Sequence, residues 1–218
     1  MTTPAVRPNA AEVDRFRARG AGPRLIRLHL VSRQVPLALA ILAGCGVVFQ
    51  LGLRLDWVQG DGPLAQQMPV MVEAAAAAVI AASTRSPFGE SELAHGRLLP
   101  YLRLGAVLGL TLAAVGLLAA GTAGGRLPDG TWAQARNVIG MTGLGLVSAT
   151  LFGGALAWIG PIAYAAVTEF ALTAAWKSPW IWPARPPHDL GAELCALLVL
   201  ALGLVLIAVR GPLITARE

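Results

Sequence analysis

The chain has 218 residues, 56% of them hydrophobic and 13% charged, with 17 Lys plus Arg against 12 Asp plus Glu. A mean hydropathy of +0.63 is too high for a water-soluble domain of this length, so soluble enzymes and soluble binding modules are excluded as first readings. The basic excess then belongs to helix orientation in a membrane rather than to nucleic acid.

The chain begins with an arginine-rich segment, residues 1–34, that carries seven arginines up to Arg33. No convincing small-residue cleavage site follows the apolar run behind it, so the segment reads as an uncleaved cytoplasmic leader to an anchor. A helix needs about 20 mostly apolar residues to cross the hydrocarbon. Six runs meet or approach that length, at about 35–55, 65–84, 100–121, 137–158, 161–176 and 190–209. The fourth and fifth are separated only by Ile159, Gly160 and Pro161. They are taken as two helices, because one continuous helix would be about 60 Å long, twice the hydrocarbon thickness. The expected fold is therefore all-α, a polytopic membrane protein with six spans.

Placing both termini in the cytoplasm puts twelve basic residues inside: the seven of the leader with Arg85, Arg97, Arg103, Arg210 and Arg217. Five remain outside, Arg54, Arg126, Arg136, Lys177 and Arg185, which is the asymmetry that orients membrane helices. Trp57, Trp132, Trp176, Trp180 and Trp182 fall on or near the outer side, where indole rings favour the headgroup level. Sixteen of the 17 basic residues are arginine, which points to a GC-rich coding sequence. Cys45 and Cys195 lie inside apolar runs and imply neither a disulfide framework nor a metal site. Glycines crowd several runs; Gly105 and Gly109 form a small-xxx-small pair of the kind that lets helix backbones approach.

Chemistry is sparse. His29, His95 and His188 are far apart, no zinc-protease, nucleophile-elbow or phosphate-loop motif is present, and the only lysine, Lys177, lies in "AAWKS". The chain is expected not to be an enzyme, to hold no metal, and to carry no cofactor of its own. Two acids lie within runs, Glu73 and Glu169. Each is placed about eight residues, or about 12 Å, from its nearer membrane face. They read either as groups lining a pathway or binding protons, or as structural acids satisfied by a neighbouring helix.

The longest polar stretch between spans is "SPFGESELAHGRLLP", residues 86–100. Pro87 and Gly89 break the incoming helix, Pro100 can open the next, and the residues between can form a short surface helix with acids at its start and Arg97 at its end. A plain polar loop would look similar.

With this stretch, the leader, "WIGP" at 158–161 and "KSPWIWPARPPHD" at 177–189, the layout resembles the permease subunit of type-2 ATP-binding-cassette exporters, and the composition is similar to permease-like proteins of actinobacteria. The resemblance implies a cytoplasmic coupling segment at 85–99, with Phe88, Glu90, Glu92, His95 and Arg97 as its contacts. It also implies a tight turn between spans four and five, and a partly re-entrant outer connection before span six. The partners it implies are a separate ATPase subunit holding ATP and magnesium, a second permease subunit and membrane lipid. The setting is a bacterial cytoplasmic membrane, and the cargo a hydrophobic or amphipathic molecule. A proton-linked secondary transporter using Glu73 or Glu169, and a non-transporting accessory subunit, are the alternatives.

Overall fold

The computed structural model describes residues 34–55, 57, 63–85, 99–123, 130–176 and 178–212. All regular structure among them is helical: α1 (Val35–Arg54), α2 (Pro63–Ala82), α3 (Leu99–Gly121), α4 (Gly130–Phe152), α5 (Ile159–Thr173) and α6 (Leu190–Val209), with 3₁₀ turns at Gly154–Leu156 and Trp182–Ala184. The leader and the proposed coupling contacts Phe88, Glu90, Glu92, His95 and Arg97 lie outside the described residues.

Four stretches are long and apolar enough to cross a membrane: Val35–Arg54, Tyr101–Gly121, Gly154–Thr173 and Leu190–Val209. The most apolar of these, α6, is only 22% buried, and Leu194, Leu198, Leu202 and Val205 on one side of it are all more than half exposed. A soluble protein buries its most apolar helix. Here the order is inverted, as it must be when the solvent is hydrocarbon. These features identify a helical membrane protein.

The polar helix is the central one. α4 packs against α2, α3, α5 and α6 and against both 3₁₀ turns, with its longest seam along α6. It buries Gln134, Arg136, Asn137, Thr142, Ser148 and Thr150 along with its apolar residues. A helix surrounded by protein can carry such groups because none of them faces lipid. The α4–α6 seam is close because it is lined by glycine. A Cβ added at Gly143 would come within 2.5 Å of Leu200 N, and one at Gly203 within 2.7 Å of Gly143 O. Gly105 and Gly109 lie on an open face of α3 with nothing within 4 Å of an added Cβ, so this pair packs nothing inside the bundle.

Two boundaries differ from the sequence expectation. α4 begins at Gly130 and ends at Phe152, several residues ahead of the expected 137–158. The break therefore falls at Gly153, whose φ of 92° no ordinary residue adopts readily, and not at Ile159–Pro161. Pro161 falls in the first turn of α5, where its missing N–H costs no hydrogen bond. α5 ends at Thr173, and the chain then turns through Ala175 with a φ of 54°.

The helices alternate in direction, so the bundle has two chemically distinct ends. At one, Ala81, Ala149, Ala157 and Ile207 pack together with Leu104 beside them, and Arg85, Arg103 and Arg210 lie near the adjoining helix termini. At the other, Trp57, Trp132, Trp176 and Trp180 are about half exposed. These are called below the arginine end and the tryptophan end.

Candidate functional site

Residues 178–189 connect α5 to α6 at the tryptophan end and contain Pro179, Pro183, Pro186 and Pro187. Four prolines remove four backbone donors and forbid a continuous helix, leaving carbonyls that need partners from elsewhere. Arg136, buried in α4, supplies them: its Nη1 donates to Pro186 O at 2.7 Å, and its Nη2 donates to Trp182 O at 2.6 Å and Arg185 O at 3.0 Å. The planar guanidinium fork suits this task, since one charged group reaches several diverging carbonyls.

The same connection turns back into the bundle. Trp182 is 2% exposed and stacks on Tyr164 of α5 with ring centroids 4.4 Å apart. Its indole rests on Gly140, where an added Cβ would lie 2.6 Å from the ring, about 15 Å along α4 from Gly130. Tyr164 donates its hydroxyl to Trp180 O at 2.8 Å and accepts from Trp182 N at 3.2 Å. Trp182 was expected among the interfacial tryptophans; the Gly140 notch draws it inside instead.

The start of α6 is fixed by Asp189, which caps it by accepting from Ala192 N at 2.9 Å and forms a close ion pair with Arg185. The Ala192 amide, and then the Arg185 guanidinium, hold the Asp189 carboxyl below the usual carboxylate range. Trp132 Nε1 donates to Glu193 Oε1 at 2.7 Å and ties α4 to α6 beside this cap.

Below this closed end lies a polar seam between α2, α4 and α5. Glu73 is 2% exposed, about 14 Å from either end of α2, and accepts from Asn137 Nδ2 at 2.9 Å. Val70, Ala74 and Ala77 of α2, Met141 of α4 and Ala165 of α5 pack around the same seam. Thr168 is fully buried there and faces the Tyr164 hydroxyl without a hydrogen bond of normal geometry. Glu169 lies beside Gln67 of α2, again without such a bond, and both its carboxylate oxygens are buried.

Glu73 and Glu169, expected at similar depth, are not brought together. Glu73 is mid-bundle and faces Asn137, whereas Glu169 is about 6 Å from the end of α5 because that helix stops early, at Thr173. Arg136 and Asn137 were missed by sequence reasoning, which placed Arg136 in an outer loop and Asn137 at the first position of a span. The available signal was the proline-rich connection, whose orphan carbonyls call for an arginine nearby. Among the described residues no group of three or more His, Cys, Asp or Glu could hold a metal ion. Cys45 and Cys195 are half-buried free thiols.

The chain matches no protein-family model, and it matches no curated protein and no solved structure.

Proposed function

We propose that the chain is a six-span permease subunit of an ATP-driven exporter. It would move a hydrophobic or amphipathic substrate across a bacterial cytoplasmic membrane, with both termini in the cytoplasm and the energy supplied by a separate ATPase. The observation that carries the reading is the α5–α6 connection, which folds back into the bundle through Trp182 where the resemblance calls for a partly re-entrant segment. Two further features support it. Six helices occur in the expected order, and Arg85, three residues past the end of α2, lies against Gly154 of the α4–α5 turn. Force applied to residues 86–98 would thus pass through the α2 terminus directly to the end of the central helix.

In this reading an ATPase grips the segment around Glu90, Glu92 and Arg97, and ATP-driven closure tilts α2 and α4. Two permease subunits then part on the outer side. The test is co-purification with an ATPase subunit and ATP-dependent transport in proteoliposomes. Replacing Glu90, Glu92 and Arg97 together should release the ATPase or uncouple hydrolysis from transport while the protein remains inserted. An unchanged complex with unchanged transport would return the segment to a plain loop.

A proton-linked carrier is the second reading, favoured by the buried Glu169 carboxylate, which makes no hydrogen bond among the described residues. Flux driven by a proton gradient without any ATPase, abolished by Glu169→Gln, would replace the exporter with this reading. ATP-dependent flux that survives Glu169→Gln would remove it.

A further inference from the structure

Most buried hydroxyls among the described residues of this bundle are satisfied by their own helix. Ser83, Thr84, Thr111, Thr122, Thr150 and Thr173 all donate to a carbonyl three or four residues back on their own helix, at 2.6–2.8 Å. This is how a hydroxyl satisfies itself where hydrocarbon offers no partner. Thr142 and Thr168, both fully buried, do not. Thr168 lies in the α2–α4–α5 seam, and its polar neighbours share its condition. Gln134 Nε2, Asn137 Oδ1 and both Glu169 oxygens are buried without a hydrogen-bond partner, although Gln134 is only 4% exposed and Asn137 6%.

The position of these groups matters as much as their number. Gln134, Asn137 and Met141 share one face of α4 by helical spacing, and Met141 packs against the α2 and α5 residues that line the seam. Thr168 follows Ala165 by one turn on α5. Gln67 and Glu169 stand nearest the tryptophan end, Gln134 and Thr168 come next, and the Asn137–Glu73 pair is deepest. Beside the Asn137–Glu73 bond, an amide donor, a hydroxyl and three acceptor oxygens along the seam are left without a partner. Leaving each of them unmet carries the full desolvation penalty of a buried polar group. Water is the ligand that satisfies donors and acceptors together, because each molecule offers two of each.

We propose that the seam between α2, α4 and α5 binds a file of water molecules leading from Gln67 and Glu169 to Glu73, which makes Glu73 a proton-exchanging site reached from the tryptophan end. The titratable and charged groups on the elements packed against α2 are Cys45 and Arg54 of α1, Tyr101 and Arg103 of α3, Arg136 of α4, and Tyr164 and Glu169 of α5, with Arg103 and the chain's Arg85 at the opposite end. The file concerns the seam itself and does not depend on what drives transport.

The full chain in lipid nanodiscs is tested by X-ray hydroxyl-radical labelling, in which bound water generates the radical where it sits. Met141 is wholly buried and lines the seam, while Phe49 is wholly buried in the apolar cluster of α1–α4. Met141 should be labelled and Phe49 spared. Thr168→Val, which keeps the shape and removes the hydroxyl, should reduce Met141 labelling toward the level of Phe49. In parallel, the infrared carboxyl band lost in Glu73→Gln should shift on transfer to D2O within the mixing time, and Thr168→Val should slow that shift. Met141 labelled no more than Phe49, or a Glu73 band that exchanges equally fast in Thr168→Val, would overturn the proposal. Where Thr168→Val does not fold, the comparison of Met141 with Phe49 in the natural sequence decides alone.

Discussion

Arg136 shows how one side chain organises a segment that cannot organise itself. The prolines of 178–189 strip donors from the backbone, and the guanidinium returns three hydrogen bonds to its carbonyls. Arg136→Gln removes the charge and most of the fork, and should cost about 3 kcal/mol, since hydrogen bonds from charged donors are the strong ones. Limited proteolysis should then cut within 178–189, and an uncut segment with an unchanged melting temperature would refute the role. Asp189 gives a pH-dependent counterpart. Its carboxyl is held below the ordinary value near pH 4, so its contribution to stability is complete above that value and is lost as pH falls through the lower, folded one. The melting-temperature gap between the natural protein and Asp189→Asn should therefore close on acidification; a gap that stays constant would show that the ionised carboxyl is not the cause.

At the scale of helices, glycines that look alike in sequence have different duties. Gly143 faces the Leu200 backbone and Gly203 faces the Gly143 carbonyl, with no room for a methyl group. Gly143→Leu should force α4 from α6 and cost at least about 3 kcal/mol, read as loss of the monodisperse peak in size-exclusion chromatography. Gly105→Ala and Gly109→Ala meet open space and should leave folding intact or raise stability by up to about 1 kcal/mol each, through helix propensity. Similar losses from both sets would contradict this division. The sequence displays all four glycines equally, because a small residue records only that closeness is permitted. Which pairs close is decided by how α4 and α6 lie against each other.

For the molecule as a whole, topology is the property that most needs measurement. In a Cys-free variant of the full chain, cysteines placed at Glu92 and Pro186 should react with membrane-impermeant reagents from opposite faces of intact cells, Pro186 from outside. Labelling of both from the same face would remove the six-span arrangement and with it the coupling role of 86–98. The polarity of the bundle fits the proposed orientation: its arginine end gathers Arg85, Arg103 and Arg210, and its tryptophan end exposes Trp57, Trp132, Trp176 and Trp180.

The apolar runs by themselves determined that the chain is a helical membrane protein and roughly where its helices lie, because burying a backbone in hydrocarbon demands about 20 apolar residues whatever the packing. Pro100 falls in the first turn of α3 for an equally local reason. What tertiary structure alone decided is which helix stands at the centre. α4 was read as starting at Asn137 because Gln134 and Arg136 looked like loop residues, yet it is the helix that four other helices and both 3₁₀ turns surround, and that enclosure is what permits its polar residues. The Glu73–Asn137 pair joins residues on different helices, and the Arg136 clamp joins α4 to a segment about 50 residues away. A linear pattern records how apolar a residue's neighbourhood in the chain is. It does not record whether the face opposite that residue is lipid, another helix or a proline-stripped carbonyl, and in this bundle that difference separates the lipid-facing helices from the candidate site.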